Sequence, residues 1–353
     1  MKNYQSISNI TTPTSGSNLC ILVLGISGNV SAGILKVVRA NFKNAHIIGS
    51  CVNKTFNSIY SDEFIKSPYA SDDFFPNWVK NLCKSKNINV ILSGVEEVND
   101  TLSIIKEELY SLTSTVVICP RIEALKIGKD KHKTFDWLRN NDFNFPRTIL
   151  PSSKEDILSF HDLLKTNLIL KPLNGKSSEG IYYVKNRNDI DGINIDYTRY
   201  ALQEVIGNIE DEYTVGSFQY QNGQCVQPIV MKRELKDGHT IYAQIVQNKK
   251  ISDYCLEITK KLNPLGPLNI QLRLNDFGEP VCFELNVRFS GTTLIRDFFG
   301  FKDVVAAIYE ACNIITTLDL FDFKKSGICI RQVEELFFLS ENISLNEKVN
   351  YRI

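Results

Sequence analysis

Short apolar runs alternate with amphipathic stretches through the first 120 residues, and few folds accept that order. The stretch "LCILVLGISGNVSAGILKVVRA" reads as a buried strand, a glycine turn and a helix whose Ile34, Leu35, Val37 and Val38 share an inner side. "AHIIGSCV" supplies a second strand, "NWVKNLCKSKN" a helix, "INVILSGVEE" a third strand, "DTLSIIKEELYSL" a helix and "STVVICP" a fourth strand. Strands separated by helices imply right-handed βαβ units and a parallel, doubly wound, Rossmann-like sheet.

Such a sheet often holds a dinucleotide, but the residues for one are missing. Gly25, Gly28 and Gly33 do not make G-x-G-x-x-G, and Ser50, Cys51 and Val52 stand where an acidic residue would hold a ribose. Glu96 and Glu97 follow the third strand, at the carboxyl edge where open α/β sheets take ligands. A substrate contact and a plain solvated carboxylate both fit that position.

Bulk properties narrow the classes further. Forty basic residues balance forty acidic ones, so no electrostatic footprint for nucleic acid or an anionic membrane is present. The apolar run "LCILVLGI" is too short to span a bilayer, and the first eighteen residues lack the apolar core of a secretory leader. Nine scattered cysteines form no C-x-x-C pair, which suits reduced thiols in the cytoplasm. The four histidines, at 46, 132, 161 and 239, show no metal spacing.

In the middle of the chain, "KIGKDKHKTFDWLRNN" is a basic helix start carrying Lys129, Lys131 and Lys133. "NLILKPLNGKSSEGIYYVKN" is a strand ending at Lys171, a loop with Gly175, Lys176, Ser177, Ser178 and Gly180, and a second strand. Small residues let backbone N–H groups approach phosphate oxygens. The loop is not a Walker A motif, because Leu170 occupies the place of its first glycine. Next, "YALQEVIGNIEDEYTVGSF" places a short strand ending in Glu204, Val205 and Ile206 before an acidic bend with Glu210, Asp211 and Glu212.

Near the end, "LNIQLRLNDFGEPVCFELNVRF" reads as two strands joined by a turn at Asp276–Glu279. Alternation puts Glu284, Asn286 and Arg288 on one face, and a hairpin centred between Phe277 and Gly278 sets Gln271 opposite Glu284. Carboxylate and amide oxygens are hard donors suited to magnesium, and an arginine on the same face can meet a transferring phosphoryl group.

The ordered set "KDKHKTFDWL", "LILKPLNGKSSEGI", "LQEVIGNIEDEYTVGSF", "IQLRLND" and "FELNVRFSGTTLIRDFFGF" resembles the ATP-grasp superfamily, specifically one synthetase half of the carbamoyl-phosphate synthase large subunit. The resemblance spans essentially the whole chain. It implies an α/β and α+β architecture with a Rossmann-like preceding domain over 1–120, a small grasp subdomain over 121–200 and a large one over 201–353. The tail "SGICIRQVEELFF" is expected to add a strand or helix to the last of these. By the same resemblance, Lys131 and Lys171 would contact nucleotide phosphates, with Gly175–Gly180 as a flap over them. Glu204, Val205 and Ile206 would meet adenine, Glu212 the ribose hydroxyls, and His239 would lie near the phosphates. Gln271, Glu284 and Asn286 would hold Mg2+, Arg288 would act on the phosphoryl group, and Glu96 and Arg296 are candidate substrate contacts.

The sequence departs from relatives in "NVRF", where they commonly have Pro after the Asn, and in a short flap carrying Lys176 and Glu179. With one grasp unit and no second synthetase half, carbamoyl phosphate synthesis is not expected. The implied activity is an ATP-dependent ligase that converts a small-molecule carboxylate into an acyl phosphate and joins it to an amine, releasing ADP. A homodimer is left open. A different acceptor, a sugar-linked carboxylate, or a non-catalytic ATP-binding module are the alternatives.

Overall fold

Three sheets organise the chain in a computed structural model that describes residues 19–173, 180–208, 211–314, 318–324 and 326–332. The first contains β1 (Cys20–Leu24), β2 (His46–Cys51), β3 (Glu63–Lys66), β4 (Val90–Ser93) and β5 (Val116–Ile118). Its order is β3-β2-β1-β4-β5, with every pair parallel. Helices α1 (Asn29–Asn41), α2 (Phe75–Lys86) and α3 (Glu96–Thr113) supply the crossovers. Four of the five strands are the apolar runs read from the sequence. The fifth, β3, is the edge strand "EFIK", whose half-exposed residues give no apolar run to detect. Strand order reverses at β1, between β2 and β4, which puts the ligand crevice beside the ends of β1 and β4. Gly25 is required there: its φ is +72°, and a Cβ would come within 2.4 Å of Val95.

Helices α4 (Ile122–Lys129) and α5 (Lys131–Asn140) follow, and then a four-stranded antiparallel sheet. This second sheet comprises β6 (Thr148–Ile149), β7 (Leu168–Pro172), β8 (Tyr182–Val184) and β9 (Tyr200–Glu204), in the order β6-β9-β7-β8. Helices α6 (Lys154–Leu164) and α7 (Arg187–Asp191) cover it, giving a compact core of Ile157, Phe160, Leu168, Leu170, Ile190 and Leu202. Sheet membership shifts the expected subdomain limits. β9 pairs with β6 and β7, so the small sheet runs past residue 200. Ala124, Phe135 and Leu138 of α4 and α5 pack instead against the third sheet.

The third sheet holds β10 (Glu212–Phe218), β11 (Ile229–Lys236), β12 (His239–Ile245), β13 (Pro267–Leu274), β14 (Pro280–Asn286) and β15 (Gly327–Ile330). Its order is β14-β13-β10-β11-β12-β15, antiparallel throughout. The tail thus adds a strand, β15, at the edge. Alternation sorts the strands into two faces. Val215, Val230, Leu268, Ile270, Leu272, Cys282 and Leu285 pack against Ile251, Cys255 and Ile258 of α8 (Lys249–Leu262). On the opposite face, Phe218, Ile229, Met231, Ala243 and Ile245 enter one continuous core with β1, α1 and α10 (Asp303–Ala311). Helix α9 (Thr293–Phe298) joins β14 to that core.

Candidate active site

The β13–β14 hairpin shows how local chemistry places the donors. Asn275 Oδ1 accepts from the backbone N–H groups of Phe277 (3.0 Å) and Glu279 (2.9 Å), and Gly278 takes φ +72°, closing a five-residue turn. Leu274 pairs with Pro280, so the turn is centred on Phe277, slightly earlier than the sequence reading has it. A bulge then absorbs Phe283, and beyond it Gln271 stands opposite Glu284 and Asn269 opposite Asn286. The expected pairing of Gln271 with Glu284 therefore arises from two offsets that cancel. The bulge also brings Phe283 onto the site face beside Glu284, while Cys282 turns into the core, where burial pushes its thiol up to about 12.

A small cavity forms where this hairpin meets the helices before the second sheet and the first domain. Phe283, Glu284 and Asn286 line it from β14, Gly128, Lys129, Lys131 and Thr134 from α4 and α5, and Glu96 from α3. Gly128 is there because α4 lies directly on β14: a Cβ would come within 2.6 Å of Val287 Cγ2 and 2.8 Å of Leu285 O. Asp130 caps α5 by accepting from His132 N (2.9 Å) and Lys133 N (3.2 Å), which fixes Lys131 as the first residue of the helix.

Lys171, near the end of β7, holds its ammonium 4.9 Å from the Phe283 ring, and the Arg273 guanidinium lies 5.3 Å from the same ring. Desolvation drives the Lys171 pKa down to about 8, against the upward pull of Glu284. Below pH 8 both folded and unfolded chains carry this proton and the desolvation penalty is complete. Between about 8 and the ordinary 10.5 the folded chain releases it first, so this group makes stability rise with pH. Bound phosphates would restore the charge. ATP binding near pH 9 is therefore expected to take up a proton, read as a dependence of calorimetric enthalpy on the buffer's ionisation heat. Lys171→Ala should abolish the uptake and weaken ATP binding far more than Cys51→Ala does. Buffer-independent enthalpy in the unsubstituted protein would remove Lys171 from the phosphate site.

The other sequence-predicted residues divide. Gln271, Glu284, Asn286, Lys131, Lys171 and Glu96 are brought to one region. Glu96, open to reading as a substrate contact or a solvated loop carboxylate, is the first residue of α3 and is no plain solvated group: Arg288 donates to its Oε1 from Nε (3.1 Å) and Nη2 (2.9 Å). Glu204 accepts from Arg147 N (2.8 Å) and Nε (2.9 Å), and the Val205 N–H donates to Asn167 O. Glu212 is not a free carboxylate for a ribose. It is buried, with Oε1 held by Arg233 (2.6 Å) and Oε2 by Arg273 (3.0 Å). His239 is exposed at the tip of the β11–β12 turn, and β12 lies four strands from β14 in the sheet order. Arg296 is fully buried beside Asp303 (2.7 Å) and Thr293 (3.0 Å), away from any substrate-facing surface. Gly175, Lys176, Ser177 and Ser178 lie outside the described residues, and Gly180 closes the loop at φ +68°. Sequence reasoning missed Phe283, Gly128, Thr134, Arg233 and Arg273. Only Gly128, set before a basic helix start, carries a visible signal.

The donor set suits magnesium. One carboxylate and two amides supply hard oxygen atoms but little charge, so phosphate oxygens would have to complete the coordination. No cluster of three His, Cys, Asp or Glu side chains with metal-binding geometry occurs among the described residues.

Residues 204–317 match a family model described as ATP-grasp in the biosynthetic pathway with Ter operon. Solved structures extend the likeness across most of the chain. Biotin carboxylase from Campylobacter jejuni, in a β,γ-ATP complex, superposes with a TM-score of 0.70 at 12% identity, covering 88% of this chain and 75% of that one. The fold is ATP-grasp. N5-carboxyaminoimidazole synthetase from Staphylococcus aureus with ADP gives 0.66 at 13% identity, over 85% of this chain and 79% of that one. The biotin carboxylase domain dimer of Hydrogenobacter thermophilus 2-oxoglutarate carboxylase, with MgADP, ADP and bicarbonate, gives 0.67 at 11% identity, over 88% and 73%. No curated protein matches the sequence. In this fold the cavity lies between the third sheet, the helices preceding the second, and the carboxyl edge of the first.

Proposed function

We propose that the protein is an ADP-forming ligase joining a carboxylate to an amine. The observation that carries this reading is the convergence of Gln271, Glu284 and Asn286 with Lys131 and Lys171 around one cavity in an ATP-grasp fold. Lys131 and Lys171 would bind the nucleotide phosphates, and Gln271, Glu284 and Asn286 would hold Mg2+. When bound, Mg2+ would neutralise charge on the β- and γ-phosphates. A substrate carboxylate oxygen would attack the γ-phosphorus as the bond to the β–γ bridging oxygen breaks, giving an acyl phosphate and ADP. Arg288 would stabilise the transferring phosphoryl group. An amine nitrogen would then attack the acyl carbon, releasing phosphate and a proton.

No Ser/His/Asp or Cys/His arrangement is needed for such chemistry, since its catalysis is positioning and charge stabilisation. A binding module without turnover would not require the metal-donor set. The reading also places the protein in the cytoplasm, consistent with nine free cysteines. No helix among the described residues is long and apolar enough to cross a membrane.

The decisive measurement is ADP release from the purified protein against pairs of small carboxylates and amines, with hydroxylamine added to trap an acyl phosphate. Substrate-dependent ADP and a hydroxamate are expected. AMP as product would replace phosphorylation with adenylation, and ATP binding without turnover on any pair would favour the module.

A further inference from the structure

The first domain does more than border the cavity. Glu96 and Asp100 sit one helical turn apart on α3, four residues apart and hence on one face. Each holds a cation from a different element of the grasp. Glu96 accepts two hydrogen bonds from Arg288, just beyond β14, and Asp100 pairs with Lys129 at the end of α4. Glu96 and Lys129 both line the cavity that Glu284, Asn286 and Lys131 share. The Arg288 fork is fixed a third time by donation from Nη1 to Phe289 O (3.1 Å).

We propose that Glu96 and Asp100 are positioning residues for phosphoryl transfer, with α3 of the first domain orienting Arg288 and Lys129 toward the nucleotide. The proposal rests on the ATP-dependent reading above and deepens it. Docking the domains together does not explain the arrangement. The first and third sheets already share a continuous apolar core, and partly exposed ion pairs add little to stability. What the pairs do supply is geometry: a guanidinium held from behind by a carboxylate presents its planar fork in one orientation. Asp100 also keeps the Lys129 ammonium above its ordinary pKa, so that cation stays charged.

The test separates positioning from packing and from direct substrate contact. Glu96→Gln should lower kcat by about two orders of magnitude, the scale of a misplacement near one ångström. The Kd for ATP with magnesium and the melting temperature should stay unchanged. Asp100→Asn should act in the same direction but more weakly, because Lys129 is half exposed. In the pair Glu96→Gln and Arg288→Lys, the double variant should be no worse than Arg288→Lys alone, since Glu96 acts through Arg288. Additive losses would make Glu96 a substrate contact and overturn the proposal, as would an unchanged kcat in Glu96→Gln. A readout independent of turnover is the side-chain Nε–H resonance of Arg288 in 15N-labelled protein, assigned by its loss in Arg288→Lys. It should be protected from exchange in the unsubstituted protein and exposed in Glu96→Gln. Equal exchange in both would overturn the proposal even if no substrate pair released ADP.

Discussion

Glu284→Gln is expected to lower substrate-dependent ADP formation steeply while leaving the melting temperature where it is in the parent. Glu284 stands on the site face of β14 opposite Gln271, half exposed, so a same-sized amide costs the core nothing. Two losses coincide at the site. The donor set forfeits its only carboxylate, leaving amides that bind a hard cation weakly. Lys171 also loses the charge that pulls its pKa upward, so more of it becomes neutral at pH 8. A fall in turnover of about two orders of magnitude or more is expected, the scale of removing one transition-state stabiliser. The measurement is ADP release across a magnesium titration, beside a thermal melt. Retained turnover with an unchanged magnesium profile would move the metal site away from β14.

Arg296→Leu has the largest expected effect on stability. The guanidinium lies over Gly216, where a Cβ would come within 2.4 Å of Arg296 Cδ, and it pairs with a fully buried Asp303. Removing it leaves that carboxylate in the core with no counterion, at a cost of about 3–5 kcal/mol. Burial already raises Asp303 to about 6 despite Arg296, and without Arg296 it rises further. A carboxylate with a raised folded pKa loses stability as pH climbs from its unfolded value through its folded one. The variant's deficit should therefore be largest above that folded pKa and shrink toward pH 4. Urea denaturation at several pH values would show it, and Arg296→Leu combined with Asp303→Leu should regain most of the loss. A single variant as stable as its parent at neutral pH would mean that the pair carries no structural weight.

Much of this is legible in the sequence. The alternation of apolar runs and helices specifies the first sheet because buried parallel strands need continuous Val, Ile and Leu. Glu284 and Asn286 were legible as one polar face because side chains alternate along a strand, but the match of Gln271 to Glu284 came from an early turn and a bulge that cancel. The rest depended on contacts between distant segments. Glu96 meets Arg288 across 192 positions, and no local pattern announces such a pair. Glu212 looked like a ribose acid because an acidic bend says nothing about Arg233 and Arg273 on the neighbouring strands. Arg296 looked like a substrate contact for the same reason: its counterion, Asp303, lies beyond a turn. The bulge at Phe283 left no trace in composition, since it shifts register without changing residue type.

The common core of the first and third sheets has a mechanical consequence. Ile34, Leu35, Val37 and Val38 of α1 share one apolar interior with Val304, Val305 and Ile308 of α10 and with Phe218 and Met231 of the third sheet. A cut after residue 120 would leave both pieces with a bare oily surface, so the chain's first third is no detachable module. The second sheet, by contrast, keeps most of its interior to itself, with Ala201 of β9 the buried residue that joins the third sheet's core among those described. Seen this way, the polypeptide builds one large anvil from its two ends and carries a small hammer as an insertion between them. Tilting that insertion disrupts little buried packing, whereas sliding the two ends past each other would break the anvil.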